Sequence, residues 1–454
     1  MAADLKAKWQ AVCEFVPDQM KRFGVPGVAI GILVHGEVFA AGFGVTSVDN
    51  PLPVTDSTLF QIGSNTKTFT GTAIMRFVDQ GKIALADKVR KYIPDLQVAD
   101  PEVAANVTVR HMLNHMSGWD GDLFIDTGEG PEALPKYIAE LKGQDQLAPM
   151  DTVWSYNNSG FSILGRILEL VSGKTYEEVM KEMVLGPLGL ENTYLDPWDV
   201  MTYRYAVGHT VTPEGAKVGR PWRLPRGVGP AGRMVSNVHD MLKYARFHMG
   251  DGRAPNGERL LSTETLVRMR SPDAVVFGEQ KWALPWAIDD TLGPRQVLHG
   301  GGTVGQISEF RFIPEHGLAL CILTNADAGT RLNDKTRAFV YKQVLDLDEP
   351  ELKPVGAKPE ELAEFVGKYT RTAGDLIVGM VAGQLAAVMV SKVSFPDRSV
   401  PLPPPTPPIP VAMCGKDRLM FTFGPSEGFP IDVVRQPDGS VGWLRVELRI
   451  LKKV

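Results

Sequence analysis

The sequence predicts an α+β fold: an antiparallel sheet flanked by helices, with an inserted helical region, followed by a small antiparallel barrel-like β domain. Three observations predict it. Strand signals stand at both ends of the first part of the chain with helix signals between them, as a sheet completed by the returning chain requires. A polar, proline-rich stretch, EPELKPVGAKP, then interrupts the pattern. Beyond it, short β runs follow one another with almost no helix signal, which sets the expected domains at 1–350 and 351–454.

In chain order, Trp9 to Phe23 reads as an amphipathic helix, and VAIGILVHGEVFAAGFG as two strands joined by a tight His35-Gly36 turn. Ser64 stands where a strand signal becomes a helix signal. From there to about Phe247, caps and breakers separate helical stretches: TVRHMLNHMSG, NNSGFSILGRILELVSG, YEEVMKEMVLGPLGL and SNVHDMLKYARFHMGDG. Strands return in RQVLHGGGTVGQISEFRFIPEHGLALCILTN, and NDKTRAFVYKQVLDL closes the domain as a helix. After the linker, FVGKYT, DLIVGMV, QLAAVMV, RLMFTF, PIDVVRQ and GWLRVELRIL are the expected β runs, and PLPPPTPPIP a stiff polyproline II loop.

Composition narrows the function classes. With 454 residues, 44% of them hydrophobic, the chain can bury two cores. A net charge of -5 with both signs scattered leaves no basic footprint for nucleic acid and no polybasic membrane patch. The N-terminus carries Asp4, Lys6 and Lys8 where a signal peptide needs an apolar run, and no segment is long and apolar enough to span a bilayer. The expectation is a cytoplasmic protein acting on a small-molecule ester, amide or short peptide, with the oligomeric state left open. Cys13, Cys321 and Cys414 lack any C-x-x-C spacing and are expected to be buried thiols.

Three short motifs carry chemistry. In QIGSNTKTFTG, Ser64 and Lys67 are one helical turn apart, so the amine can reach the hydroxyl, the arrangement of an activated nucleophile. The same spacing suits an N-cap serine with a solvated lysine, although a cation in the first turn opposes the helix dipole. Tyr156-Asn157-Asn158 offers a phenol that can share a proton with a lysine and an amide that can both donate and accept. Tyr156 packing and Asn158 capping a helix are the alternative. His299-Gly300-Gly301-Gly302 places successive glycines in a strand, which is unfavourable unless something approaches the backbone closely. An acyl group is one such thing, with the Gly302 N–H facing its carbonyl oxygen; a bulge or loop is the other reading.

In this order, Ser64-x-x-Lys67, Tyr156-x-Asn158 and His299-x-Gly301 resemble the three motifs of the serine β-lactamase and penicillin-binding-protein superfamily, on its class C-like side. That side includes family VIII carboxylesterases, D-aminopeptidases, alkaline D-peptidases and some acyltransferases or peptide cyclases. The flanking text agrees over most of residues 24 to 345, including VPGVAIGILVHGE, GPAGRMVSNVHDM and HGGGTVGQ, and the last domain resembles a lipocalin-like module appended to some members. The resemblance implies a β-lactamase-like fold, Ser64 as the acylated nucleophile, Lys67 with Tyr156 as the proton-transfer system, and the N–H groups of Ser64 and Gly302 as an oxyanion hole. Asn158, His299, Gly300 and Gly301 would line the acyl side. No metal or organic cofactor is implied. The implied activity is serine hydrolysis through an acyl-enzyme, a carboxylesterase or D-amino-acid peptidase or amidase, with acyl transfer or cyclisation and a non-catalytic acyl sensor as alternatives.

The chain departs from the superfamily at His299, where a lysine usually attracts the carboxylate of a β-lactam. Weak β-lactamase activity is therefore expected, improving as pH falls and His299 gains a proton. Arg233 in PAGRMVS also replaces a small residue, so it either points a cation at the cleft or solvates a turn. His111 and His115 in HMLNH have zinc-ligand spacing without the glutamate of H-E-x-x-H and read as structural. Trp119, Trp154, Trp222, Trp282 and Trp286 are expected near the cleft, and the last domain, which contains no histidine, is expected to shape access rather than supply chemistry.

Overall fold

Two residues of positive φ, His35 (49°) and Gly36 (86°), close the hairpin between β1 (Gly27–Val34) and β2 (Glu37–Gly44). That geometry matches a two-residue loop to the twist of its strands. The computed structural model describes residues 2–454, which divide into two compact units. The first unit holds the chain up to Leu85, Gly128–Leu134 and Leu164–Glu349; the second holds Ala86–Thr127, Pro135–Ile163 and Pro350–Val454.

The first unit is built on an eight-stranded sheet. Besides β1 and β2 it contains β3 (Ala274–Phe277), β4 (Gln280–Trp282), β5 (Ala287–Asp289), β6 (Gln296–Gly302), β7 (Ile307–Ile313) and β8 (Leu318–Thr324), in the order β2-β1-β8-β7-β6-β5-β4-β3. The returning chain does complete the sheet: β8 pairs antiparallel with β1, and both strands are buried along their whole length. Continuous apolar runs are what strands covered on both faces require. On one face, α1 (Ala2–Phe23) and α4 (Gly329–Leu345) pack over Val28, Ile30, Ile32, Leu320 and Ile322. On the other lies α3 (Val238–Met249), close enough that a Cβ on Gly31 would sit 3.0 Å from Leu242 and 3.1 Å from Val238. Tyr244 of α3 stacks on Phe69 of α2 (Thr66–Asp79) with centroids 3.9 Å apart, so α2 is fixed to the sheet through α3.

In the second unit, the final segment forms a closed antiparallel barrel of eight strands: β9 (Gly367–Arg371), β10 (Gly374–Val381), β11 (Gln384–Ser391), β12 (Ile409–Gly415), β13 (Arg418–Phe421), β14 (Pro430–Arg435), β15 (Val441–Val446) and β16 (Arg449–Lys453). Two strands exceed the six expected runs. β12 begins inside the proline-rich stretch, and GWLRVELRIL divides into β15 and β16 at Glu447 and Leu448, which both have positive φ (47° and 69°) without a glycine to announce a turn. Tyr369, Leu376, Phe421, Ile431 and Leu444 are among the side chains that fill the interior.

The same unit joins the barrel to the segments around Asp120 and Trp154. Ile450 packs with Leu147, Ala148 and Val153, and Trp443 donates its indole N–H to the Leu147 carbonyl at 2.9 Å. Arg371 reaches both Asp120 (3.1 Å) and Asp122 (2.8 Å), and Arg449 reaches Asp122 (3.0 Å). Burial pushes the Asp120 carboxyl up against the pull of Arg371. Burial acts on Asp122 as well, but Arg449 and Arg371 together hold it well below the usual carboxylate range. Because its folded value lies below its unfolded one, Asp122 contributes stability above about pH 4 that fades as acid protonates it. Asp122→Ala should lower stability by about 2–4 kcal/mol at neutral pH, since it strips two half-buried guanidinium groups of a buried counter-ion. Calorimetric unfolding of the whole chain checks this, and an unchanged midpoint would show that the pairs contribute nothing net.

Candidate active site

Ser64 lies in a single 3-10 turn, Gly63–Asn65, between the short strand Phe60–Gln61 and α2. Gly63 has φ +50°, which lets the turn double back into the helix. Side chains pin this turn from several sides. Asn65 donates to Ser308 Oγ at 2.7 Å, Ser308 donates to the Ile62 carbonyl at 2.8 Å, and Thr66 donates to the Gly63 carbonyl at 2.7 Å. One turn into the helix, Lys67 is fully buried. Its Nζ donates to Ser64 Oγ at 3.0 Å and to the Ala231 carbonyl at 2.6 Å, so the amine is aimed at the hydroxyl rather than solvated.

Beside this turn runs the glycine strand, β6. A Cβ on Gly301 would lie 2.0 Å from the Ile62 carbonyl oxygen, and one on Gly63 would lie 2.7 Å from the Gly302 nitrogen. The close approach that the glycines permit at 301 is thus made by the protein's own serine turn. Gly300 and Gly302 differ: both are exposed, and added methyls there would meet ordinary contacts at 3.6 Å and 3.4 Å. Their backbone faces are open to a second molecule.

His299 is buried, with Nδ1–H donating to the Gly300 carbonyl at 2.6 Å and the ring edge-on to Trp282. Burial, with the charge of Lys67 adding to it, pushes the imidazole down to about 3. The expected gain of a proton on mild acidification is therefore corrected: His299 stays neutral from pH 8 to about pH 4.

Tyr156 and Asn158 belong to the second unit. The Tyr156 N–H donates to the Leu448 carbonyl at 2.9 Å, and the Arg449 guanidinium sits 4.8 Å from the centre of its ring. The last domain therefore touches the motif tyrosine itself, beyond the access-shaping role expected of it. Asn158 donates one amide hydrogen to Asp122 at 2.6 Å. Helix capping falls to its neighbour, since Asn157 Oδ1 accepts from the Gly160 N–H at 2.8 Å and the Ser159 hydroxyl at 2.9 Å. Nothing in the local sequence singles out Asp122, Leu448 or Arg449: Asp122 meets Asn158 from 36 positions away, and Leu448 and Arg449 meet Tyr156 from almost 300.

The remaining candidates have structural partners. His115 Nδ1 accepts the Asn157 N–H at 2.9 Å, and His111 bridges the Thr108 N–H and Asp151. Arg233 is buried and paired with Glu129 at 2.7 Å, so it does not solvate a turn. Trp119, Trp154, Trp282 and Trp286 are core residues, and Trp222 is half-buried. Cys321 is buried as expected, whereas Cys13 and Cys414 are half-buried.

Residues 14–344 match the family described as Beta-lactamase. Penicillin-binding protein 4 of Amycolatopsis lactamdurans is 33% identical over 362 residues, covering 77% of this chain and 94% of its own. The unguisins hydrolase ungD' of Aspergillus campestris (strain IBT 28561) is 26% identical over 415 residues, covering 88% of this chain and 74% of its own. Among solved structures, SurE matches with a TM-score of 0.75 and 25% identity over 99% of this chain and all of its own, barrel included.

Two glycine variants separate structure from access. Gly301→Ala should displace the serine turn and lower kcat/KM by about a hundredfold, the scale of a misplacement near 1 Å. Gly300→Ala should fold with wild-type stability and react more nearly normally. Thermal unfolding together with labelling of Ser64 by a small phosphonate checks both, and equal effects of the two would remove the assigned close approach.

Proposed function

The chain belongs to the beta-lactamase family, and from that premise we propose that it is a serine hydrolase cleaving ester or amide bonds through an acyl-enzyme on Ser64. The observation that carries this reading is the buried Lys67 amine, 3.0 Å from Ser64 Oγ and held in place by the Ala231 carbonyl. A lysine ammonium is rarely taken wholly out of water, and here both of its named partners direct it to a hydroxyl.

In the proposed cycle Ser64 Oγ attacks the acyl carbon as Lys67 and Tyr156, the latter assigned by its place in the motif, remove the hydroxyl proton and deliver one to the leaving group. The N–H groups of Ser64 and Gly302 stabilise the oxyanion. Water repeats the sequence in reverse, regenerating the serine. Short neutral esters, and amides or peptides of D-amino acids, are the substrate classes. Hydrolysis is supported by a likeness over 88% of this chain to a relative named as a hydrolase of unguisins. An amine or alcohol in place of water would make the same intermediate an acyl donor, and a protein that acylated once and stopped would be a sensor.

Ser64→Ala should abolish turnover with the fold intact, and Lys67→Ala and Tyr156→Phe should each lower kcat by about a hundredfold or more. Intact-mass detection of a Ser64 adduct during p-nitrophenyl ester turnover is the decisive measurement; ordinary activity in the Ser64→Ala protein would sink the mechanism. Because a neutral His299 offers a carboxylate no charge, penicillins should trail short neutral esters at pH 7.5. The gap in kcat/KM should be about tenfold to over a hundredfold. With His299 pushed down to about 3, that gap should stay constant between pH 8 and pH 5. A histidine-like step near pH 6.5 in the ratio of the two rates would contradict it.

A further inference from the structure

We infer that Arg449, on the last strand of the barrel, is a positioning residue for proton transfer: its guanidinium fixes the Tyr156 ring and favours the phenolate over the phenol. The inference rests on the proposed role of Tyr156. Its geometric basis lies wholly within the second unit. The guanidinium stands 4.8 Å from the ring centre, the Leu448 carbonyl accepts the Tyr156 N–H, and the Ile450 N–H donates to Ser155 Oγ at 3.2 Å. Residues 448 and 450 are thus bonded to the tyrosine's own N–H and to the side chain of the residue before it. The turn that delivers them holds Glu447 and Leu448 at positive φ, an unfavourable conformation for two non-glycine residues in succession. Such a turn persists where surrounding contacts determine it.

Arg449 is not left to choose its own orientation. Asp122 binds it through Nε at 3.0 Å and also accepts from Asn158, so one carboxylate sets the cation and the motif asparagine together. Burial and Arg371 oppose the guanidinium charge, and Asp122 with Tyr156 outweighs them. Two further ionisable groups of the second unit lie close by. The His115 ring, 4.5 Å away, accepts the Asn157 N–H at Nδ1 and is therefore unprotonated there. Arg445 lies over Trp154 and donates to the Trp154 carbonyl. A cation held over the face of a phenol favours its anionic form over its neutral one.

The test uses the full chain labelled with [13Cζ]tyrosine, the Tyr156 resonance being assigned with Tyr156→Phe. Arg449→Gln should move the Tyr156 titration up by about one pH unit, and Arg449→Lys by less. Asp122→Asn, which leaves the cation and removes its counter-charge, should move it down. Ester kinetics should follow in the same order: in Arg449→Gln, kcat falls at pH 7.5 with KM little changed and recovers as pH rises. A merely structural arginine would lower activity in the Arg449→Gln and Asp122→Asn proteins alike without moving either titration. That result, or a rise confined to KM, overturns the inference, and if Arg449→Gln fails to fold, an unmoved titration in Asp122→Asn and Arg449→Lys does so. Loss of the Ser64 adduct, or full activity in Tyr156→Phe, would instead overturn the proposed function while leaving the titration result standing.

Discussion

A lysine amine with no exposure to water, fixed against a serine hydroxyl, is the constraint on which the first unit depends. Removing an ammonium from water carries a penalty of several kcal/mol unless its hydrogen bonds are replaced. Ala231 supplies one replacement, and the short helix Gly229–Gly232 that presents it is in turn bonded to α2 through Thr70 and the Pro230 carbonyl, at 2.8 Å. The Met234 N–H donates back to Thr66 Oγ1 at 3.1 Å. The threonines of TKTFTGT thus tie the helix that carries Lys67 to the segment that receives its amine. The helix pattern alone would have tolerated other side chains at those positions.

The second constraint is steric. Ile62 and Gly301 approach so closely that no side chain fits between them, which brings the serine turn against the strand whose outer backbone at Gly300 and Gly302 is open. Two opposite requirements meet in one glycine run: the middle residue is small so that the protein can close on itself, and its neighbours are exposed. A substrate-centred reading of HGGG missed the reason for the centre.

Legibility followed the range of the interactions. The first hairpin, the returning strands and the order of the three motifs could be read because each depends on residues close in sequence, or on short patterns. The turn at Glu447 and Leu448 could not, since neither residue carries the signal that glycine or asparagine would, and β12 was hidden behind the prolines that precede it. The narrow strands β3 to β5, two of them only three residues long, were too short to establish a period. Charge states were the least legible of all. His299 reads in sequence as a titrating group, and only its burial beside Lys67 makes it a neutral one.

That neutrality changes what the histidine can be for. A lysine at this position would add a second positive charge near Lys67, stabilising an anionic substrate group but also opposing Lys67's own charge. A buried neutral imidazole, its Nδ1–H spent on the Gly300 carbonyl, instead stiffens the strand that carries the open glycines. Fixed positive charge is found elsewhere among the groups touching the motifs, in Arg449, whose partner Asp122 lies far away in sequence. The barrel is thereby more than an appendage. It supplies a cation that the Tyr156 segment lacks, and the buried Asp122 makes that half-buried cation stable enough to keep.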